Sequence, residues 1–260
     1  MVNACLRGRG ASRIFAGTMQ ALRALDADDR PDFRPDFRHV EGWIFDLDNT
    51  LYPAGCDLFA QIDARMTAFV AARLELDEGA ARTLQKAYYR DHGTTLNGLM
   101  RVNGVDPEEF LAFVHAVDLS VLTPEPAMRD GVARLPGRRF IFTNGCRRHA
   151  ARVLDALELD DLFEDVWDIR SIGFRPKPDP DSYRAMLDRA GLEARACAMF
   201  EDAARNLVPA HTLGMTTVWL KNGSPWSRQG PEHPRADARH IHHQTEDLAA
   251  FLGGIRTRDL

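Results

Sequence analysis

Trp43-Ile44-Phe45-Asp46-Leu47-Asp48-Asn49-Thr50-Leu51-Tyr52 is an apolar run that ends in two carboxylates one residue apart and then turns. The run reads as a buried strand that delivers acids to the carboxyl edge of a sheet, the edge where open α/β folds bind ligands. Spacing alone carries little weight, because Asp-x-Asp recurs at Asp26/Asp28 and Asp179/Asp181 in a chain with 38 acidic residues. Context separates the Asp46 copy: an apolar strand pattern precedes it, and the small polar pair Asn49-Thr50 suits a tight turn after it. The stretch makes an enzyme the leading reading.

After Tyr52 the periodicity changes. Leu58, Ile62, Met66, Phe69, Val70 and Leu74 recur at three- and four-residue intervals, which predicts an amphipathic helix. Further helices are expected over 80–91, 95–102 and 108–116, punctuated by Gly93, Gly104 and Pro107. So much helix is too long for a plain loop in a compact domain and is read as a cap over 57–123. From Arg139 onward strands and helices alternate as in a parallel sheet. Strands are expected at 140–142, 196–200 and 216–220, with helices over 148–157, 181–190 and 203–213. Right-handed βαβ connections put the strand ends at one sheet edge, so Asp46, Thr143 and Asp202 can converge there. The expected fold class is therefore α/β, a Rossmann-like three-layer core with a mostly parallel sheet over 40–56 and 124–222, plus the helical cap inserted after the first strand.

Residues 1–39 are read as an N-terminal extension without fixed structure. Arg7, Arg9, Arg13 and Arg23 precede the first acid, Asp26, and the repeated Pro31-Asp32-Phe33-Arg34 and Pro35-Asp36-Phe37-Arg38 looks like linker. Residues 223–260 are expected to form a partly irregular tail packing on the core, with His233, His240, His242 and His243 on a solvated segment rather than in a metal cluster. A net charge of −5 argues against a nucleic-acid polymer as partner. No apolar stretch approaches the ~20 residues that span a bilayer. The widely spaced Cys5, Cys56, Cys146 and Cys197 suggest neither a disulfide framework nor a zinc site, which fits a cytoplasmic location. The sequence does not specify an oligomeric state.

Asp46, Asp48 and Asp202 brought together would form a dense negative pocket, which calls for a cation. The candidate ligands are hard oxygens, and these favour Mg²⁺ over zinc. Thr143-Asn144-Gly145 offers a hydroxyl and backbone amides at a strand-to-helix turn where a phosphate could sit, although Thr-Asn-Gly is also a plain turn. Arg175-Pro176-Lys177-Pro178-Asp179-Pro180 is a proline-stiffened loop that can hold Lys177 in place, to screen the acids and bind phosphate, or can simply display it at the surface. Glu201-Asp202 with Asn206 would complete a metal site and its support, and Asp202 before Ala203 is equally placed to be a helix N-cap. Cys146, near a helix start, is read as a small turn residue.

Taken in order, Asp46-Leu47-Asp48-Asn49-Thr50, Thr143-Asn144, Lys177-Pro178 and Glu201-Asp202 resemble the four motifs of the haloacid dehalogenase (HAD) superfamily of phosphatases and related hydrolases. The helical insert resembles that superfamily's cap. Asn49 in place of the commoner Gly, the cap segment from Lys86 to Leu99, and Phe142–Gly145 followed by His149-Ala150 resemble the pyrimidine 5′-nucleotidase branch.

The resemblance implies that Asp46 is the nucleophile forming an aspartyl-phosphate. It makes Asp48 the acid for the leaving alcohol and then the base for water. Asp46, Asp202 and the Asp48 backbone carbonyl would hold Mg²⁺, with Glu201, Asn206 and Thr50 around them. Thr143, Asn144 and Lys177 would bind the phosphoryl oxygens. Tyr88, Tyr89, His92, Thr94 and Thr95 in the cap are candidates for contacting the rest of a small phosphomonoester, expected to be a pyrimidine nucleotide. The rival substrates are sugar phosphates or phosphoglycolate, with hydrolysis or mutase chemistry. A non-catalytic phosphoacceptor is a rival from another class, and Asp48 and the cap argue against it. Dehalogenation is disfavoured because dehalogenases of this superfamily have no acid at the position of Asp48 and use no metal.

Overall fold

The computed structural model describes residues 34–221, 223 and 238–258. The expectations for residues 1–33 and for His233 lie outside them. Six parallel strands form one sheet in the order β3-β2-β1-β4-β5-β6: β1 Gly42–Phe45, β2 Arg138–Phe142, β3 Asp165–Trp167, β4 Cys197–Glu201, β5 Thr216–Leu220 and β6 His243–Thr245. The chain therefore forms the expected α/β fold.

β1 is central. All four of its residues are buried, as expected for a strand covered on both faces, and a continuous apolar run is the sequence form such a strand takes. The Trp43 indole satisfies its one donor at the Pro136 carbonyl, 2.7 Å away. Phe45 stacks on Phe200 of β4 with ring centroids 4.5 Å apart.

Between β1 and β2 the chain forms α1 Leu58–Leu74, α2 Glu78–His92, α3 Thr95–Asn103, α4 Pro107–Val114 and α5 Pro126–Ala133. The first four match the expected helices to within a few residues. Their starts follow local chemistry: Asp77, Thr94 and Asp106 cap α2, α3 and α4 through their side chains, and Pro107 opens α4 rather than breaking it. The remaining helices are α6 Arg147–Ala156, α7 Pro180–Ala190, α8 Leu207–Leu213 and α9 Leu248–Gly254. Among the described residues no helix is long and apolar enough to cross a membrane.

The structure revises the sequence reading in three places. Phe37, three residues before the expected start of the core, is fully buried and stacks on Trp43 at 5.9 Å. The histidine segment is more ordered than the expected tail, although His242 stays exposed: His243 opens edge strand β6, and Thr217 donates its backbone N–H to His242 Nδ1 at 3.0 Å. The helix expected from 203 is a 3-10 turn over Ala204–Asn206 that passes into α8. Asp202 is not its cap. The turn begins after Ala203 with no side-chain cap, and Ala203 N–H donates to Glu201 Oε2 at 3.1 Å.

Candidate active site

The ends of β1, β2 and β4 lie side by side in the sheet, so the residues just beyond them share one edge. Asp46 follows β1 directly, its N–H bonded to the Phe200 carbonyl of β4 at 2.9 Å. The turn beyond it needs a left-handed residue, and Asn49 supplies it with φ 60°, a conformation that asparagine tolerates better than most side chains.

Asp46, Glu201 and Asp202 are all buried, and each can present an oxygen such that the three lie within 4.8 Å of one another. Lys177, 1 % exposed, offsets part of this charge. Its ammonium donates to Asp46 Oδ1 at 2.7 Å, Glu201 Oε1 at 2.9 Å and the Phe142 carbonyl at 2.7 Å, so each of its three hydrogens has a protein acceptor. Lys177 thus holds the acids directly, and a phosphoryl oxygen would have to displace one of these partners to reach it. Thr50 Oγ1 donates to Asp46 Oδ2 at 3.1 Å.

Asn144 does something the sequence did not suggest. Its side chain brackets the Lys177 backbone, accepting from Lys177 N–H at 2.8 Å and donating to the Lys177 carbonyl at 3.2 Å. Its amide therefore positions the lysine rather than pointing at an anion. Thr143 Oγ1 accepts from Gly145 N–H at 2.9 Å and lines the cavity described below. Asn206 Nδ2 donates to Glu201 Oε1 at 2.5 Å. With Lys177 and Asn206 on one oxygen and Ala203 N–H on the other, Glu201 is occupied by protein donors, while Asp46 and Asp202 carry fewer.

The electrostatics follow from this crowding. Burial and then the Glu201 charge push the Asp46 carboxyl up to about 7, against the pull of Lys177. Burial and Glu201 also raise Asp202 well above the usual carboxylate range. Burial pulls Lys177 down, yet Asp46 and Glu201 outweigh it and hold the ammonium above its ordinary value. A buried carboxylate group with one lysine against it is short of positive charge. Its oxygen donors suit a hard divalent ion such as Mg²⁺, which Asp46 and Asp202 are best placed to hold.

Asp48 sits apart from that cluster in a separate network. Burial raises its carboxyl, but His149 and Tyr52 outweigh this and lower it overall. His149 Nε2 lies 2.8 Å from Asp48 Oδ1, and Tyr52 OH donates to the same oxygen at 2.7 Å. The His149 ring stacks on His115 with centroids 4.4 Å apart, and His115 Nδ1 lies 3.2 Å from Cys146 Sγ. Sequence reading missed Tyr52 and His115. His149 appeared in it only as part of a branch resemblance, since nothing local announces that α6 faces β1.

A cavity of about 530 Å³ opens over the acids and runs under the helical insert. Tyr89, Thr94 and Thr95 line it together with Asp63, Gln85 and Arg205. Tyr88 and His92 do not line it. Tyr88 is buried, bonded to Asn103 Oδ1 at 2.8 Å, and packed so closely on Gly98 that a Cβ there would lie 2.4 Å from its ring; His92 meets Tyr88 edge-on at 5.6 Å. The two candidates thus face the interior of the insert, because on α2 they lie one helical turn apart on the face that packs against α3. Arg205 ties insert to core, its guanidinium 4.2 Å from the Tyr89 ring centroid and bonded to the Gly93 carbonyl at 2.9 Å.

Residues 40–214 match the haloacid dehalogenase-like hydrolase family. Phosphate metabolism protein 8 of Saccharomyces cerevisiae is 28% identical over 195 residues, 68% of this chain and 60% of the yeast protein, so the match spans less than two thirds of that relative. The HAD phosphatase from Thermococcus onnurineus superposes with a TM-score of 0.55 at 18% identity, covering 84% of this chain and all (100%) of that one. The putative HAD-hydrolase YfnB from Bacillus subtilis, solved bound to magnesium, superposes with a TM-score of 0.54 at 14% identity, covering 82% and 97%. With four motif groups gathered at one sheet edge and a family match over most of its length, the chain is a member of the haloacid dehalogenase-like hydrolases.

Proposed function

We propose that this hydrolase is a Mg²⁺-dependent phosphomonoesterase working through an aspartyl-phosphate on Asp46, with pyrimidine nucleoside 5′-monophosphates as its substrates. The observation that carries the reading is the contact of Asp46 Oδ1 with Lys177 at 2.7 Å beside buried Glu201 and Asp202. A carboxylate fixed this way, with a cation site next to it, suits attack on a phosphoryl group, where catalysis consists mainly of positioning and charge compensation. Asp46 and Asp202, with the Asp48 backbone carbonyl, would hold the Mg²⁺. When bound, the ion offsets the carboxylates and the phosphoryl charge.

Asp48 gives its proton to the leaving alcohol and takes one from the incoming water. Thr143 and the backbone amides that follow it receive the equatorial phosphoryl oxygens. A cavity of about 530 Å³ has room for a nucleoside beyond the phosphate, with Tyr89 on its wall as a surface for a base to stack on. The yeast relative's name places that protein in phosphate metabolism, and the Bacillus neighbour binds magnesium in the same fold; both are in keeping with this reading.

The test is turnover of a panel of phosphomonoesters with Mg²⁺. UMP and CMP are expected to exceed sugar phosphates and phosphoglycolate, and the reverse order would sink the nucleotide assignment. Asp46→Asn is expected to abolish turnover, whereas Asp48→Asn should keep phosphate binding and stop multiple turnover. Wild-type rates in either variant would refute the mechanism.

A further inference from the structure

We infer that His149 is the positioning residue for Asp48: it fixes one carboxylate oxygen so that the other stays turned to the substrate. The inference rests on the proposed role of Asp48 as proton carrier. Its observations concern separate residues.

A carboxylate that must exchange a proton with a leaving group needs a defined rotamer. Rotation about its terminal bond is soft, and it interchanges the two oxygens. Here both donors to Asp48 converge on Oδ1: His149 Nε2 at 2.8 Å and Tyr52 OH at 2.7 Å. Asp48 lines the cavity, and among the described residues no protein donor is bonded to Oδ2. Two convergent bonds on one oxygen remove the rotational freedom and leave Oδ2 for chemistry.

The second observation is the state of the imidazole. His149 is 1 % exposed, and its Nδ1 is buried with no hydrogen-bond partner. A histidine present only for packing would satisfy both nitrogens or be replaced by an apolar residue at little loss. This one keeps an unpaired nitrogen and spends the other on Asp48. Its plane is set by the stack on His115, with 10° between the rings, and His115 is in turn held by Cys146. With Asp48 Oδ1 as the acceptor, Nε2 is the nitrogen of the ring that donates in this pair.

In the first half-reaction an Asp46 oxygen bonds to phosphorus as the ester P–O bond breaks. The bonding pair stays on the leaving oxygen, which takes the proton from Asp48 Oδ2. In the second half, water oxygen bonds to phosphorus, the Asp46–P bond breaks and restores the carboxylate, and the water proton passes to Asp48 Oδ2. His149 and Tyr52 hold Oδ1 through both halves.

Leaving groups distinguish this role from a structural one. p-Nitrophenoxide departs without a proton, whereas an alkoxide needs one. The experiment is rapid-quench measurement of alcohol release in the first turnover, from p-nitrophenyl phosphate and from glycerol 2-phosphate, with Mg²⁺ present. His149→Ala is expected to slow release from glycerol 2-phosphate by about 100-fold and from p-nitrophenyl phosphate by less than ~5-fold, within the range of general acid catalysis. His149→Gln, whose side-chain amide can reach Oδ1, should recover to within about 10-fold of wild type on the alkyl ester. Tyr52→Phe should show the same selectivity at smaller size, and it keeps the test open if His149→Ala does not fold. Equal losses on both esters, or an unchanged ratio in Tyr52→Phe, would overturn the inference. Wild-type enzyme that releases neither alcohol would instead overturn the phosphatase reading and this inference with it.

Discussion

Lys177 Nζ stands 2.7 Å from Asp46 Oδ1 across a sequence separation of 131 residues, with Glu201 on its other side. A fully buried ammonium between two buried carboxylates is a pair that cannot be half removed. Lys177→Met is therefore expected to destabilise the protein by about 3–5 kcal/mol, because the acids lose their compensating charge. Turnover should fall by about 10²–10³-fold. Urea unfolding alongside kcat checks both, and a variant of wild-type stability would show that the acids do not depend on the lysine.

His115 should make stability depend on pH. Burial and the neighbouring His149 lower its value from 6.5 to about 3, so the folded protein keeps it neutral while the unfolded chain protonates it below 6.5. The unfolded state then binds more protons, and this contribution is present above pH 6.5 and lost progressively as pH falls toward about 3. His115→Gln is expected to flatten the stability-versus-pH curve across that window. Parallel curves for wild type and variant would refute the assignment.

Tyr89 tests the substrate side of the cavity. Tyr89→Ala removes an aromatic wall and should raise KM for UMP by about 3–10-fold, the size of one aromatic contact, with kcat for p-nitrophenyl phosphate little changed. A matching loss on both substrates would mean that Tyr89 acts by holding Arg205 instead.

Phe37 tests where the folded core begins. Its ring is fully buried against Trp43 and Phe200, with Phe251 edge-on at 5.9 Å. Phe37→Ala is expected to cost about 3–5 kcal/mol, the range for deleting a buried phenyl ring. A cost below about 1 kcal/mol in urea unfolding would place the segment outside the core.

Particular residues show how far the sequence could be read. β1 was legible because a strand buried on both faces must be apolar throughout, and Asp46 and Asp48 stood out by ending it. Helices α1 to α4 were legible by period and by the Gly93, Gly104 and Pro107 that punctuate them. Strand β3, Asp165–Trp167, was not, because three residues carry too little pattern to register, and β6 was hidden because an edge strand such as His243–Thr245 tolerates polar residues. Phe37 looked like linker because burial by distant partners leaves no local signature.

The sequence by itself determined the chemistry available: which carboxylates end which strands, and that a lysine and a threonine stand in loops at the same sheet edge. The tertiary structure alone decided how that chemistry is divided. It put Lys177 against Asp46 and Glu201, made Asn144 a bracket for the lysine, turned Tyr88 inward and Tyr89 to the cavity, and set His149 on Asp48. The reason is that residue type and period are local properties of the chain. Hydrogen-bond direction and charge compensation are properties of pairs, and sheet packing brought these pairs together across as many as 131 residues.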